Sequence, residues 1–128
     1  MPTKFPNDHQ QVMSYLVVKD AEGFIKFIQK VFDAKEKLIF KSDDQTIAHA
    51  EFTIGKSVIM FSSDTVQLSP AAISSFVYVA DADAAHKTAL DVGATSVMDI
   101  KDSPHGRSGG FKDPFGNTWW VKAYTEKE

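Results

Sequence analysis

The sequence predicts an α+β fold of two βαβββ modules forming a curved mixed sheet around a central cavity. Three observations carry the prediction. A short β-branched and aromatic run followed by an amphipathic helix pattern occurs twice. Each helix is opened by an aspartate, Asp20 and then Asp81, at the same place in its half. Behind each helix, turn residues cut the chain into further strand-like pieces.

Residues 1–11 are polar, carry two prolines and read as an arm. Residues 12–18 (VMSYLVV) form a strand by content. Asp20 is an N-cap. Phe24, Phe27, Ile28, Val31 and Phe32 follow at i, i+3, i+4, i+7 and i+8, which is one apolar face of a helix. Three strands are expected next, at 35–41, 46–54 and 57–63. Gly55-Lys56 is a two-residue hairpin turn between the last two. Residues 64–73 read as a linker.

The second module starts with a strand at 74–79. Asp81 caps a helix with Ala82, Ala85, Ala89 and Leu90 on one stripe, and Gly93 stops it. A strand at 94–101 follows. Residues 102–110, rich in glycine, read as an interruption. Strands at 111–113 and 117–122 flank the turn Asp113-Pro114-Phe115-Gly116, with Pro at its second position and Gly at its fourth. Each helix covers one face of its sheet, and the two open faces can enclose a cavity.

The 128 residues are read as one domain, with module one at 12–63, the linker at 64–73 and module two at 74–123. Apolar residues at 43% and charged residues at 24% are ordinary for a globular chain, which excludes disorder. There is no cysteine, so a disulfide scaffold, a thiolate nucleophile and cysteine-ligated zinc are excluded. No apolar run reaches the ~18 residues of a membrane span. The first residues lack the apolar segment of a signal peptide, and a cytoplasmic location is expected. A net charge of −3, a pI near 5.8 and scattered lysines argue against nucleic acid.

Five stretches, in this order, carry a family resemblance: Tyr15-Leu16-Val17-Val18-Lys19-Asp20-Ala21, Ile47-Ala48-His49-Ala50-Glu51, Tyr78-Val79-Ala80-Asp81, Gly106-Arg107-Ser108-Gly109 and Asp113-Pro114-Phe115-Gly116-Asn117. Together they resemble the vicinal oxygen chelate superfamily of glyoxalases, extradiol dioxygenases and bleomycin- and fosfomycin-resistance proteins. Its PhnB-like glyoxalase branch is the most similar. The resemblance covers about residues 12–123 and implies a homodimer. It also implies a divalent metal held by His and Glu on the first and last strands of each module, acting as a Lewis acid. Carried over by strand register, those ligand positions fall on Met13, Met60, Ser74 and Trp120. None is a ligand for a hard or borderline cation. The first and fifth strands hold no His or Glu, and the last holds no His, Asp or Glu. The expected metal site is therefore none, and no cofactor is expected.

The Gly55-Lys56 turn pairs Ile54 with Ser57, and this register puts His49, Glu51 and Thr53 on the face of Met60. His49 and Glu51 are the candidate catalytic pair, as a general base or a relocated metal site. A polar pair on a solvated strand is the plainer reading. Trp119 and Trp120 point to opposite faces, one to a helix and Trp120 to the cavity. Tyr15, Met60, Tyr78 and Trp120 then make an aromatic, apolar ligand-binding surface, with Met13 and Phe76 beside them. Arg107 is a further candidate, as a clamp for a carboxylate or phosphate; a surface ion pair is its alternative. His9, His86 and His105 are expected to be solvated, structural and exposed, respectively.

The leading expectation is a small organic molecule bound in an aromatic cavity without metal, as the resemblance to bleomycin-resistance proteins implies. The alternative is a glyoxalase-like lyase, isomerase or dioxygenase using His49 and Glu51. A ferredoxin-like barrel of the small monooxygenase type ranks behind both. It would place fewer strands after the first helix than the three read here.

Overall fold

A computed structural model describes residues 3–65 and 70–126. Module one contains β1 (Tyr15–Val18), α1 (Ala21–Phe32), β2 (Lys35–Lys41), β3 (Ile47–Ile54) and β4 (Ser57–Ser63). Module two contains β5 (Ser74–Tyr78), α2 (Ala82–Asp91), β6 (Thr95–Ser103), β7 (Gly106–Lys112) and β8 (Thr118–Tyr124). Each module is a four-stranded mixed sheet, ordered β1-β4-β3-β2 in the first and β5-β8-β7-β6 in the second. The outer pairs β1–β4 and β5–β8 are parallel and the rest antiparallel. The repeat read from the sequence is thus the repeat of the fold, and the ferredoxin-like alternative is excluded. Part of the linker, residues 66–69, lies outside the described residues.

Local chemistry explains the elements. The Asp20 carboxylate accepts the Gly23 amide at 2.9 Å and that of Asp81 accepts the Ala84 amide at 3.0 Å, so both helices are capped as their sequences demand. At Gly55 the backbone turns through φ +60°, and Ile54 pairs with Ser57 as the hairpin requires. The Asp113 turn closes with a 3.2 Å bond from the Gly116 amide to the Asp113 carbonyl.

One expectation is corrected. Residues 102–110 are not an interruption: they hold the end of β6, a two-residue turn at Pro104-His105 and most of β7. The glycines here mark crowding within a sheet. A Cβ on Gly109 would lie 2.6 Å from Ile100 Cδ1, and one on Gly110 would lie 2.5 Å from the Trp120 ring.

The core lies between the two sheets. Leu16, Val18, Ala50, Phe52 and Phe61 line the inner face of the first sheet, and Phe111, Trp119 and Val121 that of the second. Helix α1 joins them: Phe24 packs edge-on to Phe61 at 4.9 Å and stacks on Trp119 at 6.4 Å. Full burial of one such ring contributes about 1.5–3 kcal/mol.

Candidate functional site

The two outer faces carry nearly all the residues singled out from sequence. On the first sheet, Tyr15 pairs with Met60 and Met60 with Glu51, so the three share the outer face. Leu38 and Phe40 flank them opposite Glu51 and His49. On the second sheet, Phe76 pairs with Trp120 and Trp120 with Gly110, while Tyr78 pairs with Lys122. The indole of Trp120 lies across Gly110, which has no side chain to lift it.

His49 and Glu51 are bonded to each other: His49 Nε2 lies 2.9 Å from Glu51 Oε2. The other carboxylate oxygen is 3.0 Å from Nε2 of His9. His9 was expected to be solvated; instead it closes over Glu51, which is only 8% exposed. The arm is responsible. Asp8 pairs with Lys37 on β2, His9 with Glu51 on β3, and the Gln10 amide brackets Val58 on β4. The Gln10 contacts, 3.2 Å to the Val58 carbonyl and 3.1 Å from its amide, imitate one rung of a strand pair. Three consecutive side chains thus strap the arm across three strands. Nothing in hydrophobic periodicity signals this, because every contact is polar and long-range. The hydrogen bond from His49, and then that from His9, holds the Glu51 carboxyl below the usual range, against the opposing effect of burial.

The far nitrogen of His49, Nδ1, faces the Tyr15 hydroxyl at 3.4 Å, and the two rings stack at 5.7 Å. Ser62 lies on the same outer face, opposite Val17. Its hydroxyl is buried and has no hydrogen-bond partner among the described residues.

The second outer face is aromatic and open. Phe76, Tyr78 and Tyr124 are 56%, 66% and 58% exposed, and Phe76 and Tyr78 meet edge-on at 5.0 Å. Arg107 does not join this face. It pairs with Ala123, between the rungs that carry Lys122 and Tyr124, and so points to the helix side. Asp83 on α2 grips it through two bonds of 2.8 and 3.0 Å, and Asp102 adds a third at 2.8 Å. These bonds raise the Arg107 pKa and lower that of Asp83. His86 is buried against Ser96 at 3.1 Å, a structural position as expected.

A single chain therefore brings Tyr15, His49, Glu51 and Met60 together on one face and Tyr78 and Trp120 on another. It does not bring the two sets together. A cleft of about 490 Å3 does open between the modules, lined by residues 12–14, the β3–β4 hairpin and β5. It shares Phe76 and Tyr78 with the second outer face but contains none of Tyr15, His49, Glu51, Met60 or Trp120.

Fold and face together define a paired βαβββ protein of the glyoxalase type. The model of the Glyoxalase/Bleomycin resistance protein/Dioxygenase superfamily matches residues 8–121, and the chain belongs to that family. An uncharacterised protein of Mycobacterium tuberculosis is 33% identical over 117 residues, covering 82% of this chain and 69% of the relative. TioX of Micromonospora sp. ML1 superposes with a TM-score of 0.72 at 21% identity, over 90% of this chain and 98% of that one. The fosfomycin resistance protein FosX of Listeria monocytogenes, solved as a mutant with Mn(II) and 1S,2S-dihydroxypropylphosphonic acid, superposes at 0.64 with 21% identity, over 92% of each chain. These two likenesses concern the fold.

The family's divalent metal does not fit the residues found here. On the outer faces, β4 offers the Met60 thioether and β8 the Trp120 indole. Neither is a donor for Mn(II) or a similar ion. No group of three or more His, Asp or Glu among the described residues is arranged to hold one. No helix among them is long and apolar enough to cross a membrane.

Proposed function

We propose that the protein binds a small, planar organic molecule without a metal, in a cavity that two copies of the chain build together. The outer face of module one in one copy would meet the outer face of module two in the other. The observation that carries this reading is the pair of outer faces themselves. Tyr15, Phe76 and Tyr78 stand 45%, 56% and 66% exposed, Tyr15 beside Met60 and Phe76 beside Trp120, two of the positions onto which the resemblance carries the family's ligands. Exposed aromatic side chains in mutual contact, as Phe76 and Tyr78 are, mark an interaction site. The aromatic faces suit stacking better than ion coordination.

Equilibrium dialysis with 2-naphthol tests the reading. Binding is expected, and is expected to be unchanged by EDTA. Loss of binding on metal removal would overturn it. Gly110→Ala provides a sharper check. The new methyl would lie 2.5 Å from the Trp120 ring, so the indole must leave its place. Affinity for the probe is expected to fall about fivefold to tenfold, with the unfolding midpoint changed far less than in a core mutant.

A second reading, a glyoxalase-like lyase, isomerase or dioxygenase, is favoured by the 2.9 Å His49–Glu51 bond, which orients an imidazole as a general base. It requires turnover that disappears in His49→Ala while folding is retained.

A further inference from the structure

We propose that the outer face of module one recognises a hydroxyl group on an aromatic ligand, a phenol or enol, through His49 Nδ1 and Ser62 Oγ. In the structure the phenol of Tyr15 faces His49 Nδ1 and makes no bond to Ser62. The inference rests on the binding function proposed above and adds the chemical class of the ligand.

Glu51 sets the tautomer of His49. Its carboxylate takes a hydrogen bond from His49 Nε2 at 2.9 Å. A neutral imidazole carries one N–H, so this bond leaves Nδ1 as an acceptor. What faces Nδ1 is the Tyr15 hydroxyl at 3.4 Å, beyond the ~2.7–3.2 Å of a well-made bond. The Tyr15 ring stacks on the imidazole at 5.7 Å, 28° from parallel, and is 45% exposed. An aromatic hydroxyl already rests over His49, without making a good bond to it.

Ser62 supplies the second point of recognition. The β3–β4 pairing runs to Ala50 and Phe61, and His49 and Ser62 are the next residues on each strand, on the face that carries Glu51 and Met60. Ser62 is 1% exposed, and its hydroxyl has no partner among the described residues. A buried donor of this kind calls for an acceptor. One hydroxyl oxygen between the two residues donates to Nδ1 and accepts from Ser62, using both its capacities. An ether can only accept. A carboxylate can only accept and would also meet the buried charge of Glu51.

Three probes of one shape test this by equilibrium dialysis: 2-naphthol, 2-methoxynaphthalene and 2-naphthoate. Wild-type protein is expected to bind 2-naphthol about tenfold more tightly than the ether, and the carboxylate most weakly. In Ser62→Ala and in His49→Phe the margin over the ether should shrink to about twofold. Equal binding of all three to wild type would overturn hydroxyl recognition while leaving the aromatic cavity standing. Failure of all three would overturn both. The imidazole 15N spectrum gives a check that needs no variant: His49 should be in its Nε2–H form, and an Nδ1–H form would remove the acceptor and the proposal with it.

Discussion

Replacing Trp119 by alanine is expected to lower the unfolding free energy by about 3–5 kcal/mol, the largest effect of any single substitution considered. Trp119 is 1% exposed and is the largest fully buried side chain among the described residues. It stacks on Phe24 of α1 and packs against Phe32 at 4.9 Å, so it ties the second sheet to the helix of the first module. Its indole N–H donates to Asp113 Oδ2 at 2.8 Å. The same carboxylate accepts the Phe115 and Asn117 amides through its other oxygen. Truncation would open a cavity between the modules and leave one oxygen of a buried carboxylate unmatched. Urea denaturation should show a lower midpoint with an unchanged slope. Trp119→Phe should recover much of the packing but not the hydrogen bond, leaving a loss of about 1–2 kcal/mol.

Glu51→Ala is expected to have the second largest effect, about 2 kcal/mol, from the loss of two hydrogen bonds to one buried carboxylate. His9 and His49 both lose this acceptor, and the arm keeps its Asp8 and Gln10 anchors. The effect depends on pH. The folded carboxyl titrates below its ordinary value of 4.5. Its contribution is therefore fully present above about that pH and disappears as the pH falls through the lower, folded value. Glu51→Gln, which cannot titrate, should flatten this acid limb of the stability curve. Denaturation series between neutral pH and pH ~3 on wild type and variant would show it. Parallel curves for the two proteins would mean that Glu51 is not the group responsible.

Most of the fold was legible because it is written in short-range patterns. Helical spacing of Phe24, Phe27, Ile28 and Phe32, the caps Asp20 and Asp81, and the Gly55 turn each act within a few residues. The hairpin alone placed Glu51 opposite Met60, as observed. Reading 102–110 as an interruption failed because glycine has two meanings. Here Gly109 and Gly110 make room for Ile100 and Trp120 in a sheet, while composition suggested a loop. The site was legible only in part. Faces follow from alternation, so Trp119, which packs on α1, and Trp120, which lies across Gly110, are on opposite sides of β8. The approach of His9 to Glu51 depends on three polar contacts across 29 to 48 residues of sequence, and no local pattern encodes it. The packing of Phe24 against both Phe61 and Trp119, which joins the two sheets through α1, was equally hidden, because it is a three-body contact between distant segments.

The central claim is that each cavity takes one face from each of two chains, and mixing two defective variants tests it most directly. Met60→Trp fills the face of module one, and Trp120→Ala strips the face of module two. Each homodimer is expected to bind 2-naphthol poorly. A mixed dimer would carry both defects in one cavity and none in the other. Co-refolding the two variants should therefore restore a population of sites with wild-type affinity, measured by equilibrium dialysis. If the mixture binds no better than its two components, the cavity is not shared between chains and the account is wrong.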